Sequence, residues 1–113
     1  MSSKLPKAPK HLKAATKRWW ESIVREYVLE SHHLRLLTLA GEAWDRCVQA
    51  REVLAKQGLT FTDRFGQPRS RPEIAIERDS RIAFARLVRE LGLDHEGGPS
   101  DAPQPPLIAG QKN

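Results

Sequence analysis

The chain has only one cysteine, Cys47. That excludes an internal disulfide framework and fits a reducing compartment. Long apolar runs are missing too. The longest are a few residues, far short of the roughly 20 that a membrane helix needs, and no membrane partner is expected. The opening Met1-Ser2-Ser3-Lys4-Leu5-Pro6-Lys7 carries charge and proline with no apolar stretch behind it, so no secretory leader is expected. Glycine patterns of phosphate-binding loops or dinucleotide sites do not occur. His32 and His33 are adjacent, so on a helix they point about 100° apart, and no further Cys or His stands at ligand spacing. Neither a metal nor another cofactor is expected. Several acidic residues along the helices are matched by basic ones four positions on, Glu42 by Arg46, Glu52 by Lys56 and Glu77 by Arg81. That is the pattern of solvated helix surface rather than of general acid–base pairs. Cys47 falls on an apolar helix face, without the exposure and neighbouring base that a nucleophile needs. No catalytic residue, and so no enzyme, is expected.

What the chain does have is basic charge in two places. Its 113 residues suit one domain, 39% of them are hydrophobic, and the net charge is +5, which favours a polyanionic partner. Lys4, Lys7, Lys10, Lys13, Lys17 and Arg18 all precede the first acidic residue, Glu21. Spaced lysines neutralise phosphates without demanding fixed geometry, and they also serve as a solubilising terminus. A second group, Arg64, Arg69 and Arg71, has only Asp63 as local counter-charge. Arginine offers planar paired donors to phosphates or guanine edges, and it also makes salt bridges between subunits. Trp19, Trp20 and Trp44 lie on apolar helix faces, so packing is favoured over stacking on bases.

The expected fold is all-α, with three helices and disordered termini. A short helix from about Lys13 to Val28 carries Trp19, Trp20, Ile23, Val24 and Tyr27 on one face, with no good N-cap before it. The second helix runs from an N-cap at Ser31 to Gln57, with Gly58 ending it; at 1.5 Å per residue it is roughly 39 Å long. Its apolar residues between Leu36 and Leu54 cover about half the circumference, which calls for two neighbours. Residues 59–70 read as an ordered loop or a small hairpin, rich in turn formers around Gly66. The third helix, antiparallel to the second, runs from about Pro72 to Leu91 and ends at Gly92. At its start the Ser70–Glu73 capping spacing competes with Pro72. The organisation is a flexible basic arm over 1–12, a helical domain for oligomerisation and DNA binding over 13–93, and a Pro- and Gly-rich disordered tail over 94–113. Three helices of this size leave part of the second helix's arc uncovered. Leu36, Leu37, Ala40, Trp44, Cys47 and Arg51 are therefore expected at an interface between copies. Arg51, inside that arc, either snorkels out or pairs with an acid on another helix or subunit.

Several stretches are similar to a family of phage terminase small subunits. They are Leu36-Leu37-Thr38-Leu39-Ala40-Gly41-Glu42-Ala43-Trp44-Asp45-Arg46, then Lys56-Gln57-Gly58-Leu59-Thr60, the loop Asp63-Arg64-Phe65-Gly66-Gln67-Pro68, and Arg71-Pro72. The likeness continues through Phe84, Leu87, Leu91, Gly92 and Leu93, begins upstream with Pro9, Leu12, Trp20 and Val24, and covers roughly residues 5–93. Two places depart from the family: Lys13 stands where a polar cap is common, and Asp94-His95-Glu96 follows the last helix in place of a Pro-Ser-Arg type segment. The resemblance implies a non-enzymatic packaging protein acting in the cytoplasm of the infected bacterial host. Its implied partners are double-stranded viral DNA, the terminase large subunit that owns the ATPase and nuclease, and further copies of itself in a ring larger than a dimer. Many terminase small subunits carry a helix-turn-helix, but the second helix here is too long and apolar for a recognition helix, and none is assigned. The alternative class is a helical interaction or scaffold protein that does not touch DNA.

Overall fold

The computed structural model describes residues 5–93. In chain order these form α1 (Ala14–Glu26), α2 (Ser31–Gln57), strands β1 (Thr60–Thr62) and β2 (Pro68–Ser70), and α3 (Pro72–Leu91). The tail expected over 94–113 and Lys4 lie outside the described residues.

The sequence signals that end the helices act as expected. At α2 the chain leaves the helix at Gly58, whose N–H donates to the Leu54 carbonyl at 2.9 Å. At α3 Gly92 takes the left-handed conformation, φ +78°, where a side chain would be strained. The N–H groups of Gly92 and Leu93 donate to the carbonyls of Arg89 and Val88, which satisfies the last turn. Pro72 settles the competing signals at the start of α3, because it occupies the first turn with Arg71 as N-cap. The N-cap of α2 is Glu30, not Ser31. Glu30 and His33 form a reciprocal capping box, in which the Glu30 N–H donates to His33 Nδ1 at 3.0 Å. Two orphan groups are satisfied together, where Ser31 offers one acceptor. Helix α1 stops at Glu26, and Tyr27 is already extended.

Helices α2 and α3 run antiparallel: Trp44 meets Phe84 with ring centroids 5.1 Å apart, and further along Arg51 meets Glu77 at 3.1 Å. Between them is the hairpin, antiparallel in the register Thr60↔Ser70, Phe61↔Arg69 and Thr62↔Pro68. The fold is therefore mainly helical with a two-stranded β element, not purely all-α. Thr60-Phe61-Thr62 has the β-prone composition for this pairing, and the turn at Gly66 brings Pro68-Arg69-Ser70 alongside.

The core lies at one end. Leu12, Trp20, Val24, Leu37 and Leu91 form its buried cluster, so α1 lies where α2 begins and α3 finishes. Burying Leu37 completely is worth about 2 kcal/mol. At the other end the hairpin is thin, and all six strand residues are exposed.

Part of the segment expected to be a flexible arm is docked instead. Ala8 and Leu12 are buried, the Ala8 N–H donates to Glu21 Oε2 at 3.0 Å, and His11 Nε2 lies 2.7 Å from Glu42 Oε2. Leu12 fits because Gly41 has no side chain: a Cβ there would come within 3.2 Å of Leu12 Cδ1 and 3.1 Å of Thr16 Cγ2. The missing cap of α1 comes from across the fold. Asp45 on α2 accepts from the Lys13 N–H at 2.8 Å and the Thr16 hydroxyl at 2.5 Å, placing a carboxylate at the positive end of α1.

Candidate nucleic-acid interface

Asp63 builds the hairpin's turn. Its Oδ1 accepts the N–H groups of Phe65 at 2.8 Å and Gln67 at 2.9 Å, and its Oδ2 accepts Arg69 Nε at 3.0 Å. The Asp63 N–H donates to the Gln67 carbonyl, and the Gly66 N–H to that of Asp63. Gly66 turns with φ +79°, which a β-carbon would oppose. The Gln67 N–H first, and then Arg69, hold the Asp63 carboxyl below the usual carboxylate range. Short polar side chains that bond their own backbone two residues on are what tight turns use, so Asp63 was findable as the organiser from its place before Gly66.

This frame separates the three loop arginines. Arg69 is exposed but ion-paired to Asp63. The Arg71 guanidinium lies 5.9 Å from the centroid of Phe61, and its Nε is buried without a hydrogen-bond partner among the described residues. Arg64 makes no ion pair among the described residues; it lies 5.0 Å over the ring of Phe65. Phe65, at the tip, is 73% exposed, the most of any large apolar side chain among those described. Sequence reasoning took it as part of a turn and missed it as a contact residue. A solvated aromatic beside a cation is the signal that finds it.

The structure does not bring the two basic groups together. Lys7, Lys10, Lys13 and Arg18 are exposed around the start of α1, and Lys17 is half-buried. They lie near Glu42 and Asp45, to which His11 and Lys13 are bonded. The hairpin begins beyond Gly58, about 20 Å further along α2 at 1.5 Å per residue.

Of the residues expected at an interface between copies, Leu37, Ala40 and Cys47 are fully buried within the chain. They have no surface left for a neighbour, because α1 and α3 are the two partners that the wide arc demanded. Leu36 is half-buried against the core cluster. Trp44 keeps 36% exposure and packs on Phe84. Arg51 pairs with Glu77 on α3, the intrachain form of the acid partner expected for it. Glu77 also accepts from Arg81 at 3.2 Å and from the Cys47 thiol at 3.5 Å. Arg81 and then Arg51 hold its carboxyl below the usual range, while burial and Glu77 push the Cys47 thiol up. Another side of the helix pair stays uncovered, a groove whose apolar residues Leu39, Ala43, Ile76, Ala83 and Leu87 are interspersed with Glu42, Arg46, Asp79 and Ser80. Leu39 there is 50% exposed and Ile76 39%. Periodicity gives the arc but not the part of it that the chain's own helices cover.

Among the described residues no helix is long and apolar enough to cross a membrane, and no three His, Cys, Asp or Glu side chains gather as a metal site. Compared with known proteins, residues 13–97 match a family model described as phage terminase, small subunit. No curated protein and no solved structure matches the chain significantly.

Proposed function

The chain belongs to the phage terminase small-subunit family, and from that premise we propose that it is a non-enzymatic, DNA-binding homo-oligomer. Membership assigns it a role in packaging the viral genome. In our reading it recognises double-stranded viral DNA in the cytoplasm of the infected bacterial host and regulates the large subunit that carries the ATPase and nuclease.

The hairpin is the observation that carries this reading. A lone two-stranded hairpin is marginal in water, yet this one is organised by Asp63 and buries none of its strand residues. Such a ribbon has the width that the major groove of DNA accepts. Arg64 and Arg71 make no ion pair among the described residues, and Arg69 between them is paired to Asp63. The basic start of α1 lies beside Asp45, and α2 rises about 20 Å from there to Gly58, where the hairpin begins; the two groups offer separate phosphate contacts. The uncovered Leu39–Ile76 groove supports self-association into an assembly larger than a dimer, such as a ring. Weak phosphate contacts repeated around such an assembly add up.

A second reading has its own observation. Phe65 is largely exposed and Arg69 is neutralised by Asp63, which favours a hairpin tip that touches protein, without DNA contact. Gel shifts with double-stranded viral DNA separate the two. Replacing Arg64, Arg69 and Arg71 together by alanine weakens the shift strongly on the DNA reading, with subunit number unchanged in native mass spectrometry. An undiminished shift favours the protein contact.

A further inference from the structure

Where α1, α2 and α3 meet, Ala15, Thr16, Trp19, Trp44 and Phe84 line an apolar cavity of about 270 Å³. The rings form a continuous strip, with Phe84 5.7 Å from Trp19 and 5.1 Å from Trp44. The indole N–H of Trp20 donates to Thr38 Oγ1, but those of Trp19 and Trp44 make no hydrogen bond among the described residues. The groove thus has aromatic walls, and two of the rings that form them carry N–H donors with no partner among the described residues. Proline-rich segments match that chemistry: they favour an extended polyproline II form whose carbonyls all remain free to accept, and aromatic-lined grooves recognise them.

We propose that the occupant is this chain's own segment Pro103-Gln104-Pro105-Pro106-Leu107-Ile108, folded back in the same subunit. Three observations favour it. It is the place in the sequence where prolines recur at PxxP spacing with large apolar residues directly behind. It is within reach: Phe84 lies about 13 Å back from Leu93 along α3, and nine intervening residues span up to about 28 Å at 3.1 Å each. The charges also complement. Residues 94–102 carry Asp94, Glu96 and Asp101 with no lysine or arginine, while Lys13, Lys17 and Arg18 flank the α1 wall of the groove.

The test uses the full chain with 5-fluorotryptophan in place of its three tryptophans and follows the three fluorine resonances. A variant combining Pro103→Ala, Pro106→Ala and Leu107→Asp is expected to shift the Trp19 and Trp44 resonances and to increase their response to a soluble quencher. Trp20, buried and bonded to Thr38, stays unchanged as the internal control. The same difference should persist on dilution, because the contact is intramolecular. Resonances that ignore the tail substitutions overturn the proposal. So do shifts that appear on dilution alone, which assign the groove to a second copy, and shifts that need both tail and high concentration, which assign the tail to a neighbour's groove.

Discussion

Replacing Asp45 by alanine removes the cap of a helix that it does not belong to. Asp45 holds the Lys13 N–H at 2.8 Å and the Thr16 hydroxyl at 2.5 Å. Losing an N-cap acceptor costs about 1 kcal/mol. The hydroxyl of Thr16, only 4% exposed, would be left without its acceptor as well, adding about 1–2 kcal/mol. The expected loss is therefore about 2–3 kcal/mol, or roughly 10–20 °C in Tm for a domain of this size. Asp45→Asn keeps one acceptor and should cost about half as much. Urea unfolding at fixed protein concentration, followed by circular dichroism, reads both, since self-association shifts apparent stability. A double-mutant cycle with Thr16→Val should give a coupling of about 1 kcal/mol. A loss under about 0.5 kcal/mol, the range of ordinary surface changes, would refute the reasoning, as would strict additivity with Thr16→Val.

Leu39→Asp places a charge on the uncovered groove without entering the core, and should lower the subunit number in native mass spectrometry while helix content holds. Gly66→Ala forces a β-carbon into φ +79° and should cost about 1–2 kcal/mol, seen as loss of hairpin amide protection with the α2–α3 amides unaffected. The Glu77 carboxyl is held below its unfolded value, so its contribution is present above the unfolded pKa and is lost as pH falls through the depressed folded one. Acid titration of Glu77→Gln should accordingly show a shallower loss of stability over that window than the parent chain. Deleting residues 1–7 removes Lys4 and Lys7 but spares buried Ala8, so DNA affinity should fall similarly for all sequences while Tm is nearly unchanged.

The helices were legible because their signals are local. Gly58, Pro72 and Gly92 mark ends through conformations that one residue sets, and Trp20 and Val24 mark a face through spacing alone. The docking of residues 8–12 was not, because it rests on two buried residues, Ala8 and Leu12, and on the room left by Gly41 on α2. The cap of α1 hid for the same reason: Asp45 is 32 residues from Lys13, beyond any local pattern. For the candidate site, the sequence located the three arginines but ranked them equally. Their differences come from partners: Asp63 for Arg69, Phe61 for Arg71, and Phe65 for Arg64. Glu42 shows the limit of pairing by spacing, since it meets His11 where the i,i+4 rule named Arg46.

The most direct test of the central claim is the salt dependence of affinity for double-stranded viral DNA, measured by fluorescence anisotropy on the parent chain and the Arg64→Ala, Arg69→Ala, Arg71→Ala variant. The account predicts that the slope of log affinity against log salt becomes shallower by about one for each phosphate that the variant no longer neutralises, with subunit number unchanged. An equal slope and equal affinity in the two proteins would contradict it.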